Sequence, residues 1–305
     1  MASKRVLLGG GKGFLGRAVK KVLESKGHKV TVVSRTADTA ANVTSWDALK
    51  EGGLPESDVI INLAGAPILD MKKPWTDKYK KECEDSRTDT TSTLATLAAE
   101  AKKKPEVFIA TSAVGYYPYS ATAKYDENYV SCGETDGWGA KLCHMIEDAA
   151  QPAADAGIRT VAMRMGVIMG RGGGAYAEMQ FPFRMGVGGP FGDGKQWFPW
   201  IHLDDAAALY DFAIENPKVS GPLNATSPGM TSNGAFCNAL ASAMWRPCLF
   251  QIPGFALNLI GEDRAKLLLE GQHVVPKKAL ANGFEFKYRT AGAACDELVN
   301  GKDEE

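Results

Sequence analysis

Three apolar residues, Val6-Leu7-Leu8, run directly into Gly9-Gly10-Gly11-Lys12-Gly13-Phe14-Leu15-Gly16, and Arg17 to Glu24 continue with helical periodicity. That order reads as a short buried strand, a tight turn and a helix start. Glycines at 10, 13 and 16 give the spacing G-x-x-G-x-x-G. They permit positive φ, close approach of the backbone to a pyrophosphate, and tight packing of the helix on the strand. The unpaired N–H groups of the first helical turn, at Phe14, Leu15 and Gly16, then face an anion.

Glycine-rich turns are common, so the surroundings decide what this one serves. A P-loop needs Ser or Thr after its lysine, and Lys12 is followed by Gly13. A second β-rich run, Lys29-Val-Thr-Val-Val33, ends in Ser34-Arg35 and completes a β-α-β unit of the length a dinucleotide site uses. Where the ribose-reading acid of an NAD protein usually stands, this chain has arginine. Arg35 is suited to accept the 2′-phosphate of NADP, a solvated loop cation being the plain alternative.

At 305 residues the chain holds one large domain or two unequal ones. Its formal net charge of -1 removes the electrostatic case for nucleic acid or an anionic membrane surface as partner. There is no apolar run of about 18 residues to span a bilayer, and Lys4-Arg5 leads into strand and glycines rather than a signal-peptide core. The 6 cysteines, at positions 83, 132, 143, 237, 248 and 295, form no C-x-x-C pair. Reduced thiols and a cytoplasmic location are the expectation. The 4 histidines, at 28, 144, 202 and 273, make no i, i+4 pair, so no metal site is expected. No G-x-S-x-G elbow supports hydrolase chemistry.

Strand and helix signals alternate through the first two-thirds, predicting an α/β fold, a doubly wound parallel sheet with helices on both faces. Asp58-Val-Ile-Ile-Asn-Leu-Ala-Gly65 is a buried strand whose end carries small residues, suited to lie against a cofactor. Trp75 to Lys103 reads as a long helix, and Pro105 to Ser112 as a strand ending in the hydroxyls of Thr111 and Ser112. A helix from Trp138 to Ala150 and a strand from Ile158 to Arg164 follow. Glycine-rich segments then bracket an aromatic-rich stretch from 174 to 186, and Gln196 to Asp205 returns to strand character. Asp204 or Asp205 is placed to cap a helix Ala206–Glu215, and Thr231 or Ser232 one that runs to Met244. Leu249 to Ile252 reads as a short strand, Phe255 to Leu269 as a helix, and Pro276 to Gly283 as a short helix. The expected division is a cofactor domain at 1–170 with 196–220 returning to it, a smaller C-terminal α/β substrate domain at 171–195 and 221–300, and a disordered tail at 301–305.

These segments together resemble the extended short-chain dehydrogenase/reductases, and more narrowly their atypical epimerase-like branch, family 39U. The matching strings are Gly9 to Gly16, Ser34-Arg35, Asn62 to Gly65, Thr111-Ser-Ala-Val-Gly-Tyr-Tyr117, Gly170 to Gly174, Trp197-Phe-Pro-Trp-Ile-His-Leu-Asp-Asp205, and Leu268 to Gln272 through Phe284. The resemblance implies a Rossmann domain binding NADP(H), a smaller C-terminal α/β substrate domain and an unassigned small molecule as substrate, and it leaves a homodimer open. Carried over by position, it implies that Ser34 and Arg35 contact the 2′-phosphate and that Leu63, Ala64 and Gly65 form a bed for the ribose. It also implies that Glu82 and Arg87 reach the cofactor, and that Gly166, Val167 and Ile168 lie against the nicotinamide. Lys12, where many relatives have threonine, is either a second cation near the phosphate or a solvated lysine.

The proton-transfer pattern is broken. The superfamily protonates the developing alkoxide with Tyr-x-x-x-Lys and a Ser or Thr. Lys141 fits the lysine, but four residues earlier stands Gly137, with Trp138 beside it, and neither exchanges a proton at neutral pH. Ser112 and Thr111 bracket the hydroxyl position, which Ala113 takes if the strings are aligned without a gap, and Thr111 also lies where a cofactor contact is expected. Tyr117, Tyr116 or His202 could replace the missing acid, though for His202 a hydrogen-bonded core histidine is the favoured reading. The catalytic candidates are therefore Ser112, Tyr117 and Lys141, in an NADP(H)-dependent oxidoreductase with an atypical acid. The alternative is an NADP(H)-binding sensor or interaction protein that has lost catalysis.

Overall fold

The computed structural model describes residues 2–68, 73–131, 137–259 and 261–301. Its centre is a seven-stranded sheet made of β1 (Arg5–Gly9), β2 (Lys29–Ser34), β3 (Val43–Ser45), β4 (Val59–Asn62), β5 (Val107–Ala113), β6 (Arg159–Met165) and β7 (Gly221–Ala225). The order across the sheet is β7-β6-β5-β4-β1-β2-β3. From β5 to β3 every neighbour is parallel. The order reverses after β3, where the chain returns to the far side of β1 as β4. That reversal is the switch point at which doubly wound sheets open a ligand crevice. The expected Rossmann fold is the observed one.

The strands are apolar on both faces because helices cover both. Leu7, Val33, Ile60 and Phe108 from the sheet pack with Leu94, Ala95 and Ala98 of the helix Asp77–Glu100, all essentially excluded from solvent. Each such Leu, Ile or Phe contributes about 1.5–3 kcal/mol by leaving water. The helix itself starts at the Thr76 cap, whose hydroxyl accepts from the Tyr79 N–H. A second core gathers Met169, Tyr176, Phe183, Trp200, Phe236, Tyr288 and Leu298.

The chain divides into two compact units, one of residues 1–113, 141–164 and 207–223, the other of 114–140, 165–206 and 224–305. Segments 114–140, 165–170 and 196–206, assigned to the cofactor domain by sequence, thus pack with the C-terminal unit. The tail beyond Gly301, with residues 132–136, lies outside the described residues.

Several local expectations are corrected. The helix Leu203–Glu215 starts before Asp204, so neither aspartate caps it. His202 does, its Nδ1 accepting from the Asp204 N–H at 3.2 Å. Asp205 turns instead to the C-terminal segment and accepts from the N–H groups of Lys287 (2.7 Å) and Tyr288 (2.9 Å). The expected strand at 249–252 is reduced to a single bridge between Phe191 and Ile252. The helix expected from 255 to 269 is two, Gly254–Asn258 and Glu262–Leu269, the second entered through Gly261 at φ 104°. Ser232 caps Asn233–Ala243 as read from the sequence, accepting from the Ala235 N–H.

Candidate functional site

Register brings the predicted cofactor residues to one edge of the sheet. Gly9 lies opposite Val33 on one side and Asn62 on the other, and Asn62 lies opposite Ala110. Gly10, Ser34, Leu63 and Thr111 are therefore the next residues along four adjacent parallel strands. This is the carboxyl edge, where open α/β sheets bind ligands.

The turn after β1 has no room for a side chain at Gly10 or Gly16. Gly10 has φ 76°, and a Cβ there would lie 2.7 Å from the Leu63 carbonyl and 2.8 Å from the Ala64 nitrogen. A Cβ at Gly16 would collide with the Gly10 carbonyl oxygen. The helix Phe14–Ser25 begins at Gly13, which offers no side-chain cap. The first-turn N–H groups at Phe14, Leu15 and Gly16 are thus left for an incoming anion. Lys12 is exposed, and its carbonyl oxygen accepts from Arg17 at 3.0 Å.

Asn62 is a positioning residue that sequence reasoning missed. It is buried, its Nδ2 donates to the Thr90 and Thr91 hydroxyls at 3.0 and 2.8 Å, and its Oδ1 accepts from the Ala64 N–H at 3.1 Å. It fixes the Leu63-Ala64-Gly65 bed from below. The available signal was a lone amide ending an otherwise apolar strand.

Two cations face this edge without a carboxylate partner among the described residues. Arg35 is exposed, next to the half-buried Ser34 at the end of β2. Arg87 packs under Gly65, where a Cβ would come within 2.8 Å of its guanidinium carbon. Its Nη1 donates to the Cys83 carbonyl at 3.1 Å. Burial pushes the guanidinium below its ordinary pKa, and no carboxylate among the described residues opposes that push. A largely buried cation in that condition is stabilised by an anion brought to it. Glu82 is exposed and bonds Lys73 at 3.3 Å, so it is engaged elsewhere in this arrangement.

Of the catalytic candidates, Ser112 is buried with the Cys143 thiol beside it, a weak partner, and its hydroxyl has no regular hydrogen bond among the described residues. Burial holds the Cys143 thiol up at about 11, so it is a packing group rather than a nucleophile. The Thr111 hydroxyl pairs with buried Tyr210 at 2.8 Å. Lys141 stands exposed on the helix Gly137–Ala149, with no hydrogen bond or ion pair among the described residues. Gly137 opens the same helix at φ 81°, and nothing lies within 4 Å of where its Cβ would be.

Tyr117 is 1% exposed, its hydroxyl donates to Asn224 Oδ1 at 2.7 Å, and its ring stacks on Tyr125. Its proton is spent inside the C-terminal unit. His202, buried as well, has Nε2 on Glu297 at 2.8 Å and Nδ1 on the Asp204 N–H, which leaves neither nitrogen for a substrate. Gly166, Val167 and Ile168 belong to the C-terminal unit, where Gly166 and Val167 donate to the Ala225 and Pro199 carbonyls.

Residues 6–225 match the model of the NAD dependent epimerase/dehydratase family. The chain belongs to that family. Residues 252–298 match a second model, a domain of unknown function, DUF1731. An epimerase family protein SDR39U1 from Bos taurus is 41% identical over 297 residues, covering 97% of this chain and 99% of the relative. The epimerase family protein YfhF of Bacillus subtilis is 35% identical over 301 residues, covering 96% and 97%. Among solved structures, human SDR39U1 with NADPH superposes with a TM-score of 0.93 at 39% identity, covering 97% of this chain and 99% of that one.

For this member of the epimerase/dehydratase family, the whole cradle from Gly10 to Lys141 falls inside the first matched region. The second region covers the helices Glu262–Leu269 and Lys277–Ala281 and most of Ala291–Asn300. Among the described residues, no helix is long and apolar enough to cross a membrane, and no group of His, Cys, Asp and Glu could hold a metal ion.

Proposed function

We propose that the chain is an NADP(H)-binding oxidoreductase of the extended short-chain dehydrogenase/reductase type, acting on a small carbonyl or alcohol without the usual tyrosine. The observation that carries the reading is a glycine-crowded turn beside two cations, Arg35 and Arg87, with no carboxylate partner among the described residues. A pyrophosphate fits the first, and the negative charges of a phosphorylated dinucleotide fit the second. Human SDR39U1, 39% identical, was crystallised with NADPH, which favours the phosphorylated form.

When bound, the nicotinamide supplies or accepts a hydride. The chain's own residues do the rest. First-turn N–H groups at Phe14, Leu15 and Gly16 hold the pyrophosphate, Ser34 and Arg35 hold the 2′-phosphate, and Leu63, Ala64 and Gly65 line the ribose. The Lys141 ammonium is the cation left to stabilise a developing alkoxide, with the Ser112 hydroxyl as the donor still without a regular partner. With glycine at 137, the proton comes from solvent held at Lys141 rather than from a phenol.

Equilibrium titration with NADPH and NADH, followed by NADPH oxidation against a panel of aldehydes and ketones, tests this. Tighter NADPH binding, with turnover abolished in Lys141→Ala, is the expected result. Tight binding with no turnover of any compound overturns the oxidoreductase reading. Gly137 favours that second outcome specifically, a cofactor-dependent sensor. Such a sensor predicts a protein partner whose affinity differs between the apo and NADPH-bound forms.

A further inference from the structure

Ten large apolar side chains stand exposed among the described residues, and all but Val130 and Leu280 fall in two stretches of the C-terminal unit, 181–187 and 245–259. The stretches are far apart in sequence and neighbours in the fold. Arg246 Nε donates to the Arg184 carbonyl at 2.9 Å, a Cβ at Gly186 would meet Pro247 first, at 3.9 Å, and the Ile252 N–H donates to the Pro190 carbonyl at 2.9 Å. Apolar side chains gathered in this way on a surface mark an interaction site.

A helix ends at each stretch. Gly174–Arg184 runs out through Met185 into Gly186 at φ 75°, and Asn233–Ala243 through Met244 into Trp245 at φ 55°. Glycine ordinarily fills that left-handed position, and the second turn places an indole there, 89% exposed. From Phe181 to Val187 and from Trp245 to Phe250 the large apolar side chains are 55–89% exposed, so they stand on a ridge rather than line a cleft. A ridge offers a small molecule no enclosure, and its occupant is itself a surface.

The charges on the ridge identify that surface. The two stretches contain two arginines, Arg184 and Arg246, and no Asp or Glu. Both are exposed, and neither makes an ion pair among the described residues. The first acid upstream, Glu178, lies nearly two helical turns before Arg184, roughly 9 Å along the axis. Aromatic rings settle at the headgroup level of a bilayer. Arginines beside them lay their stems along apolar surface and pair their guanidinium groups with lipid phosphates. The whole-chain charge of -1 supplies no long-range attraction. Attachment therefore rests on apolar insertion joined to local phosphate pairing, the two signals that hold a protein at a membrane surface. The backbone limits the depth. Leu249 and Phe250 donate no backbone hydrogen bond among the described residues, and such groups stay among water and headgroups rather than in hydrocarbon.

We propose that this ridge docks the protein on the surface of an anionic phospholipid bilayer, peripherally and without spanning it. The proposal stands independently of the cofactor reading, since no residue of the ridge belongs to the cradle.

Co-sedimentation of the full chain with phosphatidylcholine vesicles, prepared with and without phosphatidylglycerol, tests it. The expected result is binding that is tighter to the anionic vesicles, weakened there by salt, and accompanied by a blue shift of tryptophan emission. Each arginine contributes about fivefold, so Arg184→Glu with Arg246→Glu lowers affinity for the anionic vesicles by more than about tenfold and leaves that for neutral ones unchanged. Arg184→Lys with Arg246→Lys retains it. Phe181→Ser with Trp245→Ser abolishes binding to both. Circular dichroism, Tm and NADPH affinity of every variant stay near the parent's, because these side chains are exposed and outside the cradle, and this separates a lost contact from a lost fold. No binding to any vesicle overturns the proposal. So does equal binding to neutral and anionic vesicles, binding that none of these substitutions moves, or sedimentation velocity in which the same substitutions split a dimer while vesicle binding is unchanged.

Discussion

Tyr117 donates its hydroxyl proton to Asn224 Oδ1 at 2.7 Å, and Asn224 Nδ2 donates onward to the Val275 carbonyl at 3.0 Å. Buried Glu127 accepts from the Asn224 N–H and from the Lys278 N–H, so one polar network ties three distant stretches of the C-terminal unit. Removing the phenol strands a buried acceptor, which costs about 1–3 kcal/mol. Tyr117→Phe is therefore expected to lower stability in chemical denaturation by that amount while leaving NADPH affinity within about twofold. A selective loss of turnover at unchanged stability would return Tyr117 to the proton-transfer role.

The collision between a Cβ at position 16 and the Gly10 carbonyl is backbone against side-chain root, so no rotamer relieves it. Gly16→Ala is expected to displace the turn, weaken NADPH at least tenfold and lower Tm. Isothermal titration beside a thermal melt checks both. Gly27→Ala supplies the contrast: its φ of 86° carries strain, yet nothing lies within 4 Å of the added Cβ and the cradle is untouched. It is expected to lose stability alone.

What the sequence revealed was what local signals encode. The Val6 to Gly16 turn, the Lys29 to Val33 strand and the Ser232 cap each carry their cause within a few residues. The helix Ala291–Asn300 escaped notice because Ala-Gly-Ala-Ala-Cys has little pattern. It is held by non-local bonds, Glu297 taking His202 at 2.8 Å and Arg171 at 2.9 Å. The surroundings of Tyr117 and His202 were not legible for the same reason: both types can move protons, but burial and partner choice are set by segments far along the chain. Arg87 was placed by resemblance. That no carboxylate among the described residues pairs with it is a property of packing, which no spacing reveals.

Arg35 separates cofactors by one phosphate. It is exposed and free of carboxylates among the described residues, so its charge is available to a 2′-phosphate. A hydrogen bond between charged groups contributes about 1.5–3 kcal/mol, which converts to roughly tenfold or more in affinity. Arg35→Ala is expected to weaken NADPH by that factor and NADH hardly at all. Equal losses for the two dinucleotides would remove Arg35 from the phosphate site.

At the opposite, amino-terminal edge of β1, the Arg5 guanidinium grips Asp58 at 2.9 and 2.6 Å, and the Arg5 N–H adds a third bond at 2.9 Å. These bonds hold the Asp58 carboxyl well below the ordinary carboxylate range. A depressed folded-state pKa stabilises the fold above the unfolded value of about 3.9 and ceases to do so as pH falls through the folded value. Asp58→Asn is expected to lower stability at neutral pH and to flatten its decline below about pH 4, the two curves converging at the acid end. Denaturation midpoints measured from neutral to strongly acidic pH check this, and curves that stay parallel throughout would deny Asp58 its part.

Gly137 tests whether the missing phenol is all that separates this site from the common one. It lies one helical turn before Lys141, on the same face, with open space at its Cβ. The obstacle to a side chain is conformational, since φ 81° costs an L-residue about 1–2 kcal/mol. Gly137→Tyr is expected to fold with a modest loss of Tm and to keep NADPH affinity. If Lys141 and Ser112 are otherwise in working order, it raises NADPH oxidation with aldehyde substrates and adds a pH profile set by a tyrosine beside a lysine. Gly137→Phe carries the same strain and bulk without the hydroxyl, and so separates a proton donor from a filled cavity. Equal activity in the two variants would show that the phenol is not what the site lacks.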